Sequence, residues 1–321
     1  MNTPTDEVLF AITGWKGRHA GDHGSHFAQM GYQYDSIDPA NGDSIKPNKV
    51  AIQHRCNLET FLHGNKTPLG IIIASPDSCH MSDLEKSVEA WIRHILDEKP
   101  MALNAKDLWR LIELKQEAQR KWIRMTTCLP RITDARYGQL VNMIPGLIAE
   151  FWKVTSISHS FTSRNIPKPG SSAGRDHFSH EITMLLKILW CSSNTSIHID
   201  KCMNNDEPNF YFCEWKIGEV TFDVGGEKSG EKNEERVNID FQNGAELHFS
   251  TLTWKIQILG GNKPITIPLK EGGPEARLME ITQNFVQVAL GEVKDFYLPD
   301  SLFLASAELP ATLFPNQTAA S

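Results

Sequence analysis

Three short apolar runs, each closed by a residue that cannot continue a buried strand, constrain what the amino-terminal half of this chain can fold into. Val8-Leu9-Phe10-Ala11-Ile12-Thr13 ends at Gly14, Ile71-Ile72-Ile73-Ala74 at Ser75-Pro76, and the shorter Ile95-Leu96 at Lys99-Pro100. A strand-sized run with no polar alternation reads as a strand covered on both faces, as in a parallel sheet. Proline then stops it, because a central strand needs the N–H that proline lacks. Helical patterns lie between the runs. Ser82 and Glu85 match a capping box, followed by Leu84, Val88, Trp91 and Ile92 at helix spacing. Asn104 is placed to cap a helix whose inner face is Leu108, Leu111, Ile112 and Ala118. Strand and helix alternate to about Met125, the mark of βαβ units.

The period then changes. Tyr211, Cys213 and Trp215, then Val237, Ile239 and Phe241, then Leu247 and Phe249 follow two-residue alternation. Asn243-Gly244 signals a hairpin, and Leu252, Trp254, Ile256 and Ile258 continue the pattern, with Ile265 and Ile267 as a further strand. Glu227 to Arg236 reads as a solvated hairpin loop, and Leu278, Ile281, Phe285 and Val288 as the stripe of a closing helix. The expected architecture is α/β: a doubly wound parallel sheet over residues 1–125, then over 126–321 an α+β domain with a large, open, mainly antiparallel sheet. A length of 321 residues suits two domains.

Composition excludes several classes of function. With 40% hydrophobic and 22% charged residues, the chain is neither disordered nor fibrous. A net charge of −7 argues against nucleic acid as a partner. No apolar run approaches the ~20 residues of a membrane span, and no signal peptide precedes Val8. Six scattered cysteines without a C-x-x-C pair read as thiols of a reducing compartment. The expectation is a soluble, cytoplasmic protein acting on a small molecule.

In a doubly wound sheet, ligands bind beyond the carboxyl ends of the strands. The first turn there reads Gly14-Trp15-Lys16-Gly17-Arg18-His19. Against the dinucleotide fingerprint G-x-G-x-x-G only Gly14 is in place; Lys16 and His19 occupy the other two glycine positions. Tyr32 to Ile37 reads as the second strand, and Asp38 after it is spaced to bind the adenosine ribose hydroxyls, favouring NAD(H) over NADP(H). Lys99 stands at a strand end, where its ammonium can polarise a substrate hydroxyl.

Ala74-Ser75-Pro76, His80, Glu98-Lys99-Pro100 and Asp176-x-x-x-His180 together resemble the glucose-fructose oxidoreductase/inositol dehydrogenase/rhizopine catabolism (Gfo/Idh/MocA) family, in order and in approximate spacing. The resemblance implies a Rossmann domain followed by a mixed α/β domain, often used for self-association. It also implies a nicotinamide cofactor and a catalytic set that falls here on Lys99, Asp176 and His180. Trp15, Lys16, Gly17, Arg18, Ser75, Pro76, His80, Glu98 and Lys99 join Gly14 and Asp38 as expected cofactor contacts. The chemistry suits these roles: histidine exchanges a proton near neutrality, Asp176 shares its helix face four residues away, and Lys99 can steady a developing alkoxide. The implied activity is hydride exchange with a hydroxyl, keto or imine carbon of a sugar, cyclitol or related molecule. The family also contains dinucleotide-binding regulators that catalyse nothing, a reading that the altered glycine turn keeps open.

A homodimer or homotetramer is expected through the carboxyl-terminal sheet, with Trp215 and Trp254 suggesting apolar residues on both of its faces. No metal is expected. His19, His23 and His26, with Asp22, have helical spacing, but Gly21 and Gly24 weaken the helix, so these histidines read as touching cofactor or solvent. Trp91, Trp109 and Trp190 read as core or interface residues on helix stripes.

Overall fold

The computed structural model describes residues 9–14, 18–39, 51–64, 67–151, 153–163, 185, 187–188, 203–206, 210–228, 234–260, 263–270, 274–298, 302–304 and 306–308. Two compact units emerge: residues 1–130 with 274–307, and residues 131–273 with 308–321.

In the first unit the chain runs β1 (Phe10–Thr13), α1 (Arg18–Met30), β2 (Tyr34–Ile37), β3 (Ala51–His54), α2 (Leu58–Gly64), β4 (Gly70–Ile73), α3 (Asp77–Glu89), β5 (His94–Asp97), α4 (Ala105–Arg120) and β6 (Arg124–Thr127). All six strands are parallel, in the order β3-β2-β1-β4-β5-β6. This is the doubly wound order whose direction reverses between β1 and β4. Every residue of β1 and β4 is buried, as their uninterrupted apolar runs require.

Several local expectations need correction. Helix α3 starts at Asp77, after Pro76, so Ser82 lies in its second turn and caps nothing. Trp91 falls beyond the helix, at φ 60° and exposed, and Trp109 is exposed on α4, so neither belongs to the core; Trp190 lies outside the described residues. Asn104 does cap α4, its side chain accepting from Asp107 N–H. Helix α1 forms despite Gly21 and Gly24, because its buried residues Ala20, His23, His26 and Phe27 tie it to the unit.

The division at 125/126 changes more. Helix α6 (Pro274–Ala289) packs its stripe Leu278, Ile281 and Phe285 against Phe10, Phe27 and Ile72 of the first unit. The fit is close: a Cβ on Gly70 would meet Phe285 Cζ at 2.8 Å. An apolar stripe records that a helix face is buried, not which sheet buries it.

The second unit holds α5 (Ala135–Phe151), β7 (Val154–Ser163), β8 (Met203–Asp206), β9 (Phe210–Ile217), β10 (Val220–Lys228), β11 (Glu234–Phe241), β12 (Glu246–Ser250), β13 (Lys255–Leu259) and β14 (Ile265–Pro268). Its eight strands run β14-β13-β12-β11-β7-β10-β9-β8, antiparallel except for the β7–β10 pair. Strands β10 and β11 both pair with β7, so 227–236 is not a hairpin loop. Between β11 and β12, Phe241 N–H donates to Ala245 C=O, and only Gly244 (φ 84°) adopts positive φ. That is a three-residue turn with its glycine in the left-handed position.

One sheet face is apolar: Tyr211, Cys213, Trp215, Phe222, Val224, Val237, Ile239, Leu247, Phe249, Ile256 and Ile258 are buried. Tyr137 of α5 stacks on Phe249 at 5.1 Å. The other face is polar, with Asn238 between Ser158 and His248. Trp254 lies in the β12–β13 turn, half exposed, so the sheet is not apolar on both faces as expected. Among the described residues, no helix is long and apolar enough to cross a membrane.

Candidate functional site

The turns after β1, β4, β5 and β6 gather at one edge of the parallel sheet. Gly14 N–H donates to Ile37 C=O, Glu98 N–H to Ile73 C=O, and Cys128 N–H to Asp97 C=O. Gly14 has φ 72°, and a Cβ there would meet Ala74 O at 2.3 Å and Ser75 Cα at 2.5 Å. Glycine is therefore obligatory where the β1 and β4 turns press together. Asp38, half-buried, follows β2, its N–H donating to His54 C=O. A glycine at the end of β1 where no side chain fits, with an acid at the end of the neighbouring strand, suits a dinucleotide. Trp15, Lys16 and Gly17 lie outside the described residues; Arg18 opens α1.

Ser75 donates its hydroxyl to Asp83 Oδ2 at 2.7 Å, and Pro76 is exposed. His80, buried on α3, donates Nε2–H to Ser75 C=O at 2.7 Å, which turns Nδ1 toward Asp97 Oδ1 at 3.3 Å. Burial alone would lower its pKa, but the charge of Asp97, the hydrogen bond to Ser75 C=O and the charges of Asp77 and Glu98 together outweigh this, and the net shift is upward. Asp97, fully buried at the end of β5, is pushed up to about 7 by desolvation, with the neighbouring Glu98 adding to the rise.

Glu98 points to the opposite side. Its Oε1 lies 3.0 Å from His23 Nε2 and 3.7 Å from His19 Nδ1, both on α1. Desolvation would raise its pKa, but the His23 hydrogen bond and the charges of His19 and His23 overcome this and bring it to about 2. His23 is held from behind by Thr282 of α6, at 2.8 Å from Nδ1, and His26 Nδ1 reaches the same hydroxyl at 3.1 Å. The thiol of Cys128 also reaches Glu98; burial pushes its pKa well up, and the Glu98 charge adds to that. Lys99 follows, half-buried, with a cis peptide to Pro100.

Gly14, Ser75, His80, Glu98 and Lys99 thus stand on neighbouring turns of one unit, with Asp38 at the next strand end. Asp176 and His180 lie outside the described residues. Sequence reasoning missed Asp97, Cys128 and Thr282. Each could have been flagged as a polar residue at or beyond a strand end, or inside an apolar helix stripe.

In the second unit, Arg131 forms a buried ion pair with Glu235 at 2.8 Å and lies over the Phe161 ring at 4.8 Å. His159, two residues from Phe161 on β7, is held well below its ordinary pKa by burial and by the Arg131 charge.

Residues 10–125 match the GFO_IDH_MocA model, described as an oxidoreductase family with an NAD-binding Rossmann fold. The resemblance carried by the motifs is borne out there. None of the curated proteins matches this sequence. Among solved structures, the chain is similar to a biliverdin reductase from Synechocystis, in complex with biliverdin and NADP+, with 14% identity and TM-score 0.72, covering 95% of this chain and 98% of that one. It is also similar to a UDP-N-acetylglucosamine 3-dehydrogenase from Acidithiobacillus ferrooxidans, with 13% identity, TM-score 0.70 and 95% of each chain covered. A dehydrogenase from Clostridium difficile gives 13% identity and TM-score 0.68, covering 96% of this chain and 98% of that one. At these identities the likeness is one of fold.

Proposed function

We propose, from the match of residues 10–125 to an oxidoreductase family with an NAD-binding Rossmann fold, that this protein is an NAD(H)-dependent oxidoreductase. Its substrate class is a hydroxyl, keto or imine carbon of a sugar, cyclitol or related small molecule. The observation that carries the reading is the Gly14 turn, pressed so closely on Ala74 and Ser75 that no side chain fits, with Asp38 at the end of the adjacent strand.

A bound nicotinamide supplies hydride chemistry. Asp38 accepts from the ribose hydroxyls and disfavours a 2′-phosphate. Lys99 steadies negative charge developing on the substrate oxygen. His180 takes or returns the hydroxyl proton, and Asp176, one helical turn before it, orients the imidazole. The same reading has the protein act in a reducing, cytoplasmic setting and self-associate through the polar face of its eight-stranded sheet.

Calorimetry with NAD(H) and NADP(H) comes first, with tighter NAD(H) binding expected. A panel of sugars, cyclitols and amino sugars then supplies a substrate. On that substrate, His180→Ala should lower turnover by roughly 10²–10⁴-fold and leave dinucleotide binding nearly intact. Absence of binding to either dinucleotide overturns the proposal. Binding without turnover of any substrate favours the non-catalytic regulator.

A further inference from the structure

The α1 side of the strand edge holds a buried cluster, built around Glu98, in which binding a dinucleotide gives no account of His23, Cys128 and Thr282. Thr282 has one hydroxyl proton, which it donates to Leu278 C=O at 2.9 Å. When its oxygen accepts from His23 Nδ1–H, the Nε2 lone pair faces a carboxylate oxygen of Glu98 at 3.0 Å; when the imidazole carries its proton on Nε2, that N–H donates to Glu98 instead. The first of these states is the one that a metal ion between Nε2 and Glu98 selects.

A third group of ligand type stands beside them. His23 Nε2 or Nδ1, a Glu98 oxygen and Cys128 Sγ all lie within 4.8 Å of one another, and all three residues are buried. A tetrahedral zinc shell, with bonds of about 2.0 Å to nitrogen or oxygen and about 2.3 Å to sulfur, sets its ligand atoms roughly 3.3–3.6 Å apart, within that spread. A dication balanced by one carboxylate and one thiolate leaves no net charge in the buried pocket. The Thr282 brace on the far nitrogen is the outer-shell support that metal-bound histidines ordinarily have.

We propose that His23, Glu98 and Cys128 form a binding site for a first-row divalent transition-metal ion, Zn²⁺ by ligand chemistry, with its fourth position facing His19. Binding breaks the Cys128 S–H bond and releases that proton to solvent, and forms bonds from the ion to sulfur, nitrogen and carboxylate oxygen. Glycines at 21 and 24 do not count against the site, since α1 is formed across both. Asp22 is not needed, because the anionic ligands come from the ends of β5 and β6.

The test uses the full-length protein, stripped by chelator and titrated with Co²⁺ as a spectroscopic stand-in for Zn²⁺. One ion per chain is expected, with a thiolate-to-cobalt charge-transfer band in the near ultraviolet. Cys128→Ala should abolish the band, and His23→Gln should weaken binding at least tenfold. Thr282→Val keeps every ligand and should still lower affinity roughly 10–100-fold, which makes it the arm that survives if His23→Gln fails to fold. No charge-transfer band at saturating Co²⁺ overturns the proposal. So does a band that persists in Cys128→Ala, or an affinity unchanged by Thr282→Val. Dinucleotide binding is not part of the readout, so this outcome is independent of the proposed activity.

Discussion

Two histidines, one in each unit, are equally buried and have opposite chemistry. His80 on α3 and His159 on β7 are both 2% exposed. For both, the largest influence is desolvation, which lowers the pKa. The sign of the neighbour then divides them. Asp97 beside His80, with the Ser75 carbonyl and the charges of Asp77 and Glu98, reverses the effect of burial and brings the net shift upward; Arg131 beside His159 adds to it. Burial alone thus says little about a histidine's charge; the sign of the charges around it decides.

The largest expected effect comes from breaking one side of this contrast. His80→Leu strands the fully buried Asp97 without its partner and should cost about 3–5 kcal/mol at neutral pH, read by denaturant unfolding. His159→Leu removes a neutral imidazole from an apolar sheet face and should cost far less. Equal losses in the two variants would erase the contrast.

The second effect is the acid limb. His159 is neutral in the folded chain and protonated when unfolded below about pH 6.5, so its stability contribution is present above that value and lost as pH falls. At the ceiling of about 1.4 kcal/mol per pH unit, the loss between pH 6.5 and 5 amounts to about 2 kcal/mol. It should be absent in His159→Leu and so appear in full in the difference between parent and variant.

The smallest effect runs the other way. The raised His80 contributes stability that is full below pH 6.5 and is lost as pH rises through its folded value. Asp97, raised to about 7, drains stability in the same direction. Asp97→Asn should flatten a loss of stability that runs from about pH 4 to 7 and stays under about 1.4 kcal/mol per unit. Hydrogen exchange followed peptide by peptide sharpens the comparison: α3 should lose protection on the alkaline side and β7 on the acid side.

Much of this arrangement was legible in the sequence where the local signal and the tertiary outcome coincide. Ile71-Ile72-Ile73, closed by Ser75-Pro76, is a strand buried on both faces. Asn104 caps α4 through a contact made within its own turn. Strand β3 was not legible, because Ala51-Ile52-Gln53-His54 is an edge strand with one fully buried residue and no apolar run. The histidine spacing on α1 was visible, but its partners Glu98, Cys128 and Thr282 come from strand ends and a helix far along the chain, which no local period encodes. The expected catalytic pair, Asp176 and His180, rests on the motif alone and lies outside the described residues.

The return of α6 to the first unit has a consequence in time. A ribosome that has just released β6 has made all six parallel strands but not the helix that supplies Phe285 and Thr282. At about 5–20 residues per second, the intervening sheet and α6 take on the order of 10–30 s to synthesise. Through that interval Phe10, Phe27 and Ile72 lack their covering helix. A nascent chain in this state exposes the apolar surface that α6 will cover, and its Rossmann half is completed only after α6 has been made.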